Sequence, residues 1–466
     1  MGQAPRHLTP QESALHLFGA ELRRWRTKRG LSQAQLSAKT HYSSHTIGKI
    51  EIAARRPTDE LARLLDDALD TGGVLARLMD LLSPSGPGNK RAPQIQIVDG
   101  WPQSRADTVD AVTNLWTADL RRRSVITAVW AAAAVAEPLR RWLSDPVDDD
   151  AGKAGRHRVG QADVDVLWTM CTAFADADHQ LGGGYARDTL MHYAGATVTP
   201  LLRSSYTDHI GRQLFAAAAR LCDVAGFMCF DSGRQGLAQK YFLSALRMAK
   251  ISGDLALGAH ILTDLSMQAQ NLQHTAEALA LAEAAVTTAG RGGSASTRAR
   301  CHAIHARALA QSGDRAASGH AVAQADRALD RTDGDTEPPW IKFFTQQQLA
   351  TEAIYASAEL GDIRQVQTHA DIALDPTGEM KRRQVLAATT VAGSYLPSAD
   401  RNQRREEIDV ERACQVLNGI TPVLGSLTSA RALTAISTIR GQLAPLSKMA
   451  CVQRVEHDLH YALAAP

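Results

Sequence analysis

Between residues 18 and 70 the apolar positions fall in short helical stripes, not in the alternation of strands. Leu36 lies one turn into a segment opened by Ser32, while Ile47 and Ile50 fall three apart in a segment opened by Ser43. That spacing puts each set on one helix face. Ser32 is a natural N-cap with Gln35 three residues on as its capping-box partner, and Ser43 can cap the second segment. The pattern predicts a helix of about two turns ending near Thr40, a turn around His41 and Tyr42, and a second short helix. In that second helix Ile47 and Ile50 face the core, and Ser44, His45 and Lys49 face outward.

Helical stripes continue through the rest of the chain. Val109, Val112, Leu115 and Trp116 form one, Val125, Ile126 and Val129 open another, and Val164 to Ala177 carries a third. Three prolines and two glycines in residues 83–93 stop any helix and predict a polar tether. A second interruption runs from Asp148 to Gly152, and a third is Gly182-Gly183-Gly184, ahead of a helix with Leu190, Tyr193 and Ala194. A glycine triplet before a helix can cradle phosphate. This one follows a helix instead of a strand and lacks the Gly-Lys-Ser/Thr ending of a P-loop, so a helix-to-helix turn is expected.

Beyond residue 210 the chain repeats loosely every 40–48 residues, with a long helix, a tight turn and an alanine-rich helix around Gly233, Gly313 and Gly361. Gly226 and Cys229 face Ala238, Phe242 and Ala245 in the first case; Ala278, Ala282 and Ala285, then Ala317 and Ala321, then Ala370 and Ala373, then Ala413 to Leu417 follow. Small residues at those places let paired helices approach. The predicted fold is all-α: a helix-turn-helix domain at 12–82, a linker at 83–104, a helical middle region at 105–205 and a helical repeat at 206–466.

Composition sharpens this. Of the 466 residues 44% are hydrophobic but only 5% aromatic, so alanine and leucine must build closely spaced helices. The net charge of +2 hides an asymmetry: residues 1–92 hold 14 basic and 9 acidic side chains, leaving 37 basic and 40 acidic in the remainder. Positive charge gathers where phosphate would be met. The six cysteines are dispersed, with no metal-binding spacing, and read as buried free thiols of a reducing cytoplasm. The longest apolar run, Val125 to Ala136, is too short to span a bilayer, and the polar N-terminus has no secretory signal, so a cytoplasmic location is expected. His302 and His305 share a helix face without a carboxylate to complete a ligand set, and Ser204 and Ser205 lack a nucleophile elbow. Neither an enzyme, a metal site nor a cofactor is expected.

Two short helices joined by a tight turn, the second entering the major groove by its N-terminal end, make a helix-turn-helix. The ordered block Leu22 to Arg26, Gly30-Leu31-Ser32-Gln33, Leu36, Thr46-Ile47, Ile50-Glu51, Arg55-Arg56-Pro57 and Leu61-Leu64-Leu65 resembles the phage repressor/Cro-type (XRE) regulators over about 55 residues. The resemblance implies that Gln33 bonds a phosphate, Ser43 caps the recognition helix, and Ser44, His45, Thr46 and Lys49 lie nearest the bases. It implies backbone phosphate contacts by Arg55 and Arg56, and a structural ion pair between Arg26 and Glu51. Two positions depart from the family: Gly48 lies inside the recognition helix, and Ala53 stands where a glycine is usual.

The C-terminal part resembles degenerate tetratricopeptide repeats. The tandem is similar to a regulator class common in high-GC Gram-positive bacteria. Its repeats are expected to form a homodimer and to bind a peptide, protein or small-molecule effector, while the head binds operator DNA. The rival expectations are an interaction scaffold whose head does not read sequence, and, with less support, an effector-processing enzyme.

Overall fold

The computed structural model describes residues 14–71, 73–82, 101–120, 130–148, 151–153, 158–375, 380–397 and 408–464. The expected tether at 83–93, the stripe opening at Val125, and Asp149 and Asp150 lie outside them. The described chain is all-α, with no strand and two isolated bridges, Lys153 with Tyr206 and Arg158 with Ser205.

Five helices make an N-terminal head: α1 (Ala14–Lys28), α2 (Gln33–Thr40), α3 (Ser44–Glu51), α4 (Asp59–Leu69) and α5 (Val74–Leu82). Local signals start each one. Ser32 completes both halves of its capping box with Gln35, Ser43 accepts from the Thr46 N–H, and Thr58 accepts from the Leu61 N–H. The buried Asp66 carboxylate of α4 accepts from the N–H groups of Leu75 and Ala76 at 2.8 and 2.7 Å, so one helix caps the next. Phe18, Leu22, Leu36, Ile47, Ile50, Leu61 and Leu65 fill the centre of the head.

The body begins with α6 (Arg105–Leu120), α7 (Ala133–Ser144), α8 (Gln161–Leu181), α9 (Arg187–Tyr193) and α10 (Thr199–Arg203), with a π-helical turn at Ala194–Val198. The glycine triplet is a helix-to-helix turn. Gly183 lies so close to the Met228 carbonyl that a side chain has no room, and its N–H donates to Asp231 at 2.9 Å.

Four helical hairpins follow: α11 (Asp208–Asp231) with α12 (Gln235–Ser252), α13 (Leu255–Asn271) with α14 (Thr275–Gly292), α15 (Ala295–Gln311) with α16 (Arg315–Leu329), and α17 (Gln346–Glu359) with α18 (Ile363–Ala373). All four turn in the same way. Gly233, Gln273, Gly313 and Gly361 have φ of +77°, +61°, +87° and +67°. The N–H of the following residue reaches back five residues to a carbonyl, as Arg234 to Cys229 and His274 to Ala269, both at 2.8 Å. This is the Schellman closure, which needs a left-handed residue. Sequence marks three of these turns with glycine; Gln273 hides the fourth. The expectation of a helical repeat thus holds as stacked hairpins, completed by α19 (Lys381–Tyr395), α20 (Val410–Asn418), α21 (Thr421–Leu424), α22 (Ala430–Leu443) and α23 (Ala450–Ala464).

One apolar core joins α6–α10 to the first three hairpins through Trp116, Trp142, Phe215 and Tyr241, and a second lies among α19–α23. By length and composition α11 is apolar enough to cross a membrane, but 89% of its most apolar window is buried, as befits the central helix of this core. All six cysteines are free, and only Cys451 is not fully buried.

A candidate nucleic-acid interface

The position of α3 is set by one buried carboxylate. Glu51, 1% exposed, takes Arg26 Nε at 2.5 Å and Arg26 Nη2 at 3.0 Å, a bidentate clasp between α1 and the end of α3. Arg23 donates to the Glu51 carbonyl at 3.0 Å, and the Gln33 amide donates to the Glu51 carboxylate at 2.8 Å. Gln33, expected on a phosphate, therefore holds α2 against α3. Its amide lies beside Gly48, where an added methyl would meet Oε1 at 3.3 Å. Backbone contact completes the clasp: a methyl on Gly19 would come within 2.6 Å of the Ile50 carbonyl oxygen, so only glycine lets α1 and α3 touch here.

On the other side of α3, Ser43, Ser44, His45 and Lys49 are exposed, and Arg55 and Arg56 follow in the next turn, also exposed. Thr46 does not join them. It is 9% exposed, its hydroxyl shares a 2.9 Å hydrogen bond with the capping Ser43 hydroxyl, and Arg55 donates to it at 3.4 Å. The helical period explains the departure, since Thr46 precedes Ile47 on the inward quadrant. After α3, Ala53 adopts φ +58°, the conformation for which glycine is the usual residue. The turn keeps its shape, with Ala53 N–H to Ile50 O at 3.0 Å and Ala54 N–H to Lys49 O at 2.8 Å, at a cost of about 1 kcal/mol.

A second face of α1 seats the head on the body. Glu21, Arg24, Trp25 and Lys28 recur at i, i+3, i+4 and i+7 and meet the turn between α13 and α14. Arg24 pairs with Glu277 at 3.1 Å and approaches His274 Nε2 at 3.5 Å, and Lys28 donates to the Gln273 carbonyl. The His274 ring lies against Trp130 (centroids 3.9 Å) and edge-on to Trp25 (6.3 Å). Ala131 and Ala134, at the start of α7, close the core of the head. Sequence reasoning passed over this face and Gly19; the i, i+3, i+4, i+7 spacing with a tryptophan among charges was the available signal. Because the seat uses α1, the outward side of α3 stays open to solvent.

Residues 17–79, which span all but the ends of this head, match the helix-turn-helix domain family. No curated protein and no solved structure matches the chain. The head is a helix-turn-helix DNA-binding domain, and such a domain points to a DNA-binding regulator.

Proposed function

We propose that the chain is a sequence-specific transcriptional regulator of the phage repressor/Cro type, whose C-terminal hairpins are degenerate tetratricopeptide-like repeats of the kind found in high-GC Gram-positive bacteria. Ser44, His45 and Lys49 read base edges, and Arg55 and Arg56 hold backbone phosphate. The hairpins join two copies and sense an effector, so that two recognition helices meet successive major grooves about 34 Å apart. The protein works in the cytoplasm, without catalysis of its own. The observation that carries this reading is the free outward face of α3 on a head seated through α1.

The test is a gel shift on genomic fragments at rising salt. One fragment should be retained specifically. His45→Ala or Lys49→Ala should cost about 1–3 kcal/mol at one operator position, whereas Arg55→Ala should weaken all sequences alike. Uniform weak retention of every fragment favours the scaffold and ends the regulator reading.

A further inference from the structure

The first helices of the four hairpins carry a strip of polar residues that the proposed function leaves without a task. Thirteen positions ahead of each left-handed turn residue stand Arg220, His260, Arg300 and Gln348. All four line one recess of about 70 Å³, which shares five wall residues, among them His179, Arg220 and Phe343, with a cavity of about 370 Å³. The larger volume is at the small end of ligand pockets and suits a metabolite better than a folded partner.

Charge in this region is sorted, apart from Asp176, an exposed acid that lines the larger cavity. Each buried acid of the recess has a basic partner: Asp178 with Arg382 at 2.8 Å, Asp264 with Arg300 at 2.5 Å, Glu352 with Arg307 at 2.7 Å, and Asp223 with Arg220. Two cations of the larger cavity have none. Arg383 is 6% exposed, and among the described residues it makes no ion pair, donating to the carbonyls of Gln347 and Ala373 and to the Thr351 hydroxyl, with the Asp375 and Glu352 carboxylates acting on it only at longer range. Lys342 stands exposed at the rim and is likewise unpaired among the described residues. A guanidinium taken out of water without a carboxylate is costly, and its planar fork fits an organic acid.

The larger cavity also has flat walls. Trp168, Trp340 and Phe343 line the cavity, and His260 meets Trp340 edge-on at 5.0 Å. Asp223 Oδ1, Asp178 Oδ1 and Gln348 Oε1, which line the recess, are buried acceptors with no hydrogen-bond partner among the described residues. Buried acceptors in folded proteins are normally satisfied, so these oxygens suit a ligand that brings an N–H or O–H. Burial and the cations Arg382, Arg220 and Arg300 push the His179 imidazole down to about 3, so it presents a neutral edge to both spaces. Asp223, His260 and Asp264 lie within 4.8 Å of one another, but Arg220 and Arg300 already occupy them, which disfavours a metal ion.

We infer that this cavity is the effector site, and that it takes a small planar organic acid whose anionic group pairs with Arg383 and Lys342, whose ring lies along Trp340 and Phe343, and whose far end donates to Asp223 or Asp178. The inference rests on the sensing role proposed for the hairpins, yet its test needs no DNA. Full-length protein is titrated with 1-anilinonaphthalene-8-sulfonate, an aromatic anion with a flat naphthalene ring and an N–H, and with N-phenyl-1-naphthylamine, its neutral analogue. The anion should bind one saturable site at least tenfold more tightly than the neutral dye. Arg383→Met and Trp340→Ala should each weaken it about tenfold or more, and Lys342→Met, at an exposed position that does not threaten folding, about threefold. Absence of a saturable site, or equal binding by wild type and Lys342→Met together with a folded Arg383→Met, overturns the assignment. Dye binding without specific DNA retention removes the regulator and leaves the site; the reverse outcome removes the site alone.

Discussion

Acid should loosen the head from the body, and His274 sets the size of the effect. Its ring is 4% exposed, and burial first, then Arg24 and Lys28, push the imidazole down to about 2 from 6.5. Arg24, which approaches the ring, is itself engaged by Glu21 and Glu277. Once the head leaves, the ring is wetted and titrates near its ordinary value. A depressed value in the docked state means that docking is fully supported above about pH 6.5 and loses about 1.4 kcal/mol for each pH unit below it. Between about pH 7.5 and about pH 5 some 1.5 units count, so docking should weaken by roughly 2 kcal/mol, near 30-fold. His274→Phe keeps a ring against Trp130 and removes the proton. Hydrogen exchange of the α1 amides, corrected for intrinsic rates, should rise with acid in wild type and much less in the variant. Buried histidines elsewhere, such as His260, are common to both proteins and cancel in the comparison. Equal pH slopes in the two proteins would refute the reasoning.

Two further outcomes concern the head itself. Glu51→Ala leaves Arg26 and the Gln33 amide without their common acceptor, while Arg23 keeps its bond to the backbone carbonyl; because the stranded partners are partly exposed, the loss should sit near the low end for a broken buried pair, about 3 kcal/mol, read by urea unfolding of the head. Ala53→Gly relieves the left-handed residue after α3 and, net of the extra freedom glycine gives the unfolded chain, should stabilise the head by about 0.5 kcal/mol. A destabilised Ala53→Gly protein would mean that the turn carries no strain.

The head was legible in sequence because its signals are local. Ser32 with Gln35, and Ser43 ahead of Ile47, fix helix starts within a few residues whatever surrounds them. Three of the four hairpin turns were legible for the same reason, through their glycines. What escaped is non-local. The seat of the head joins Arg24 to Glu277 across 253 positions, and no window of sequence contains both. Gln33 and Thr46 were assigned outward roles because the family pattern fixes their positions, but not which neighbour, Glu51 or Ser43, claims their polar atoms. The strip of Arg220, His260 and Arg300 was in principle readable, since its members repeat every 40 residues in step with the turns. Its residue types differ from one hairpin to the next, and a search for like residues passes over a position conserved only in place.

Helix α13 reaches from the cavity to the head. His260 and Asp264 look into the recess from its middle, and the turn that grips Arg24 and Lys28 hangs from its end. From His260 to Asn271, where the helix ends, is about 16 Å of rod. Were a guest in the proposed site to shift the middle of that rod, the grip at its end, and the seated head with it, would be carried along, like the hand on a lever.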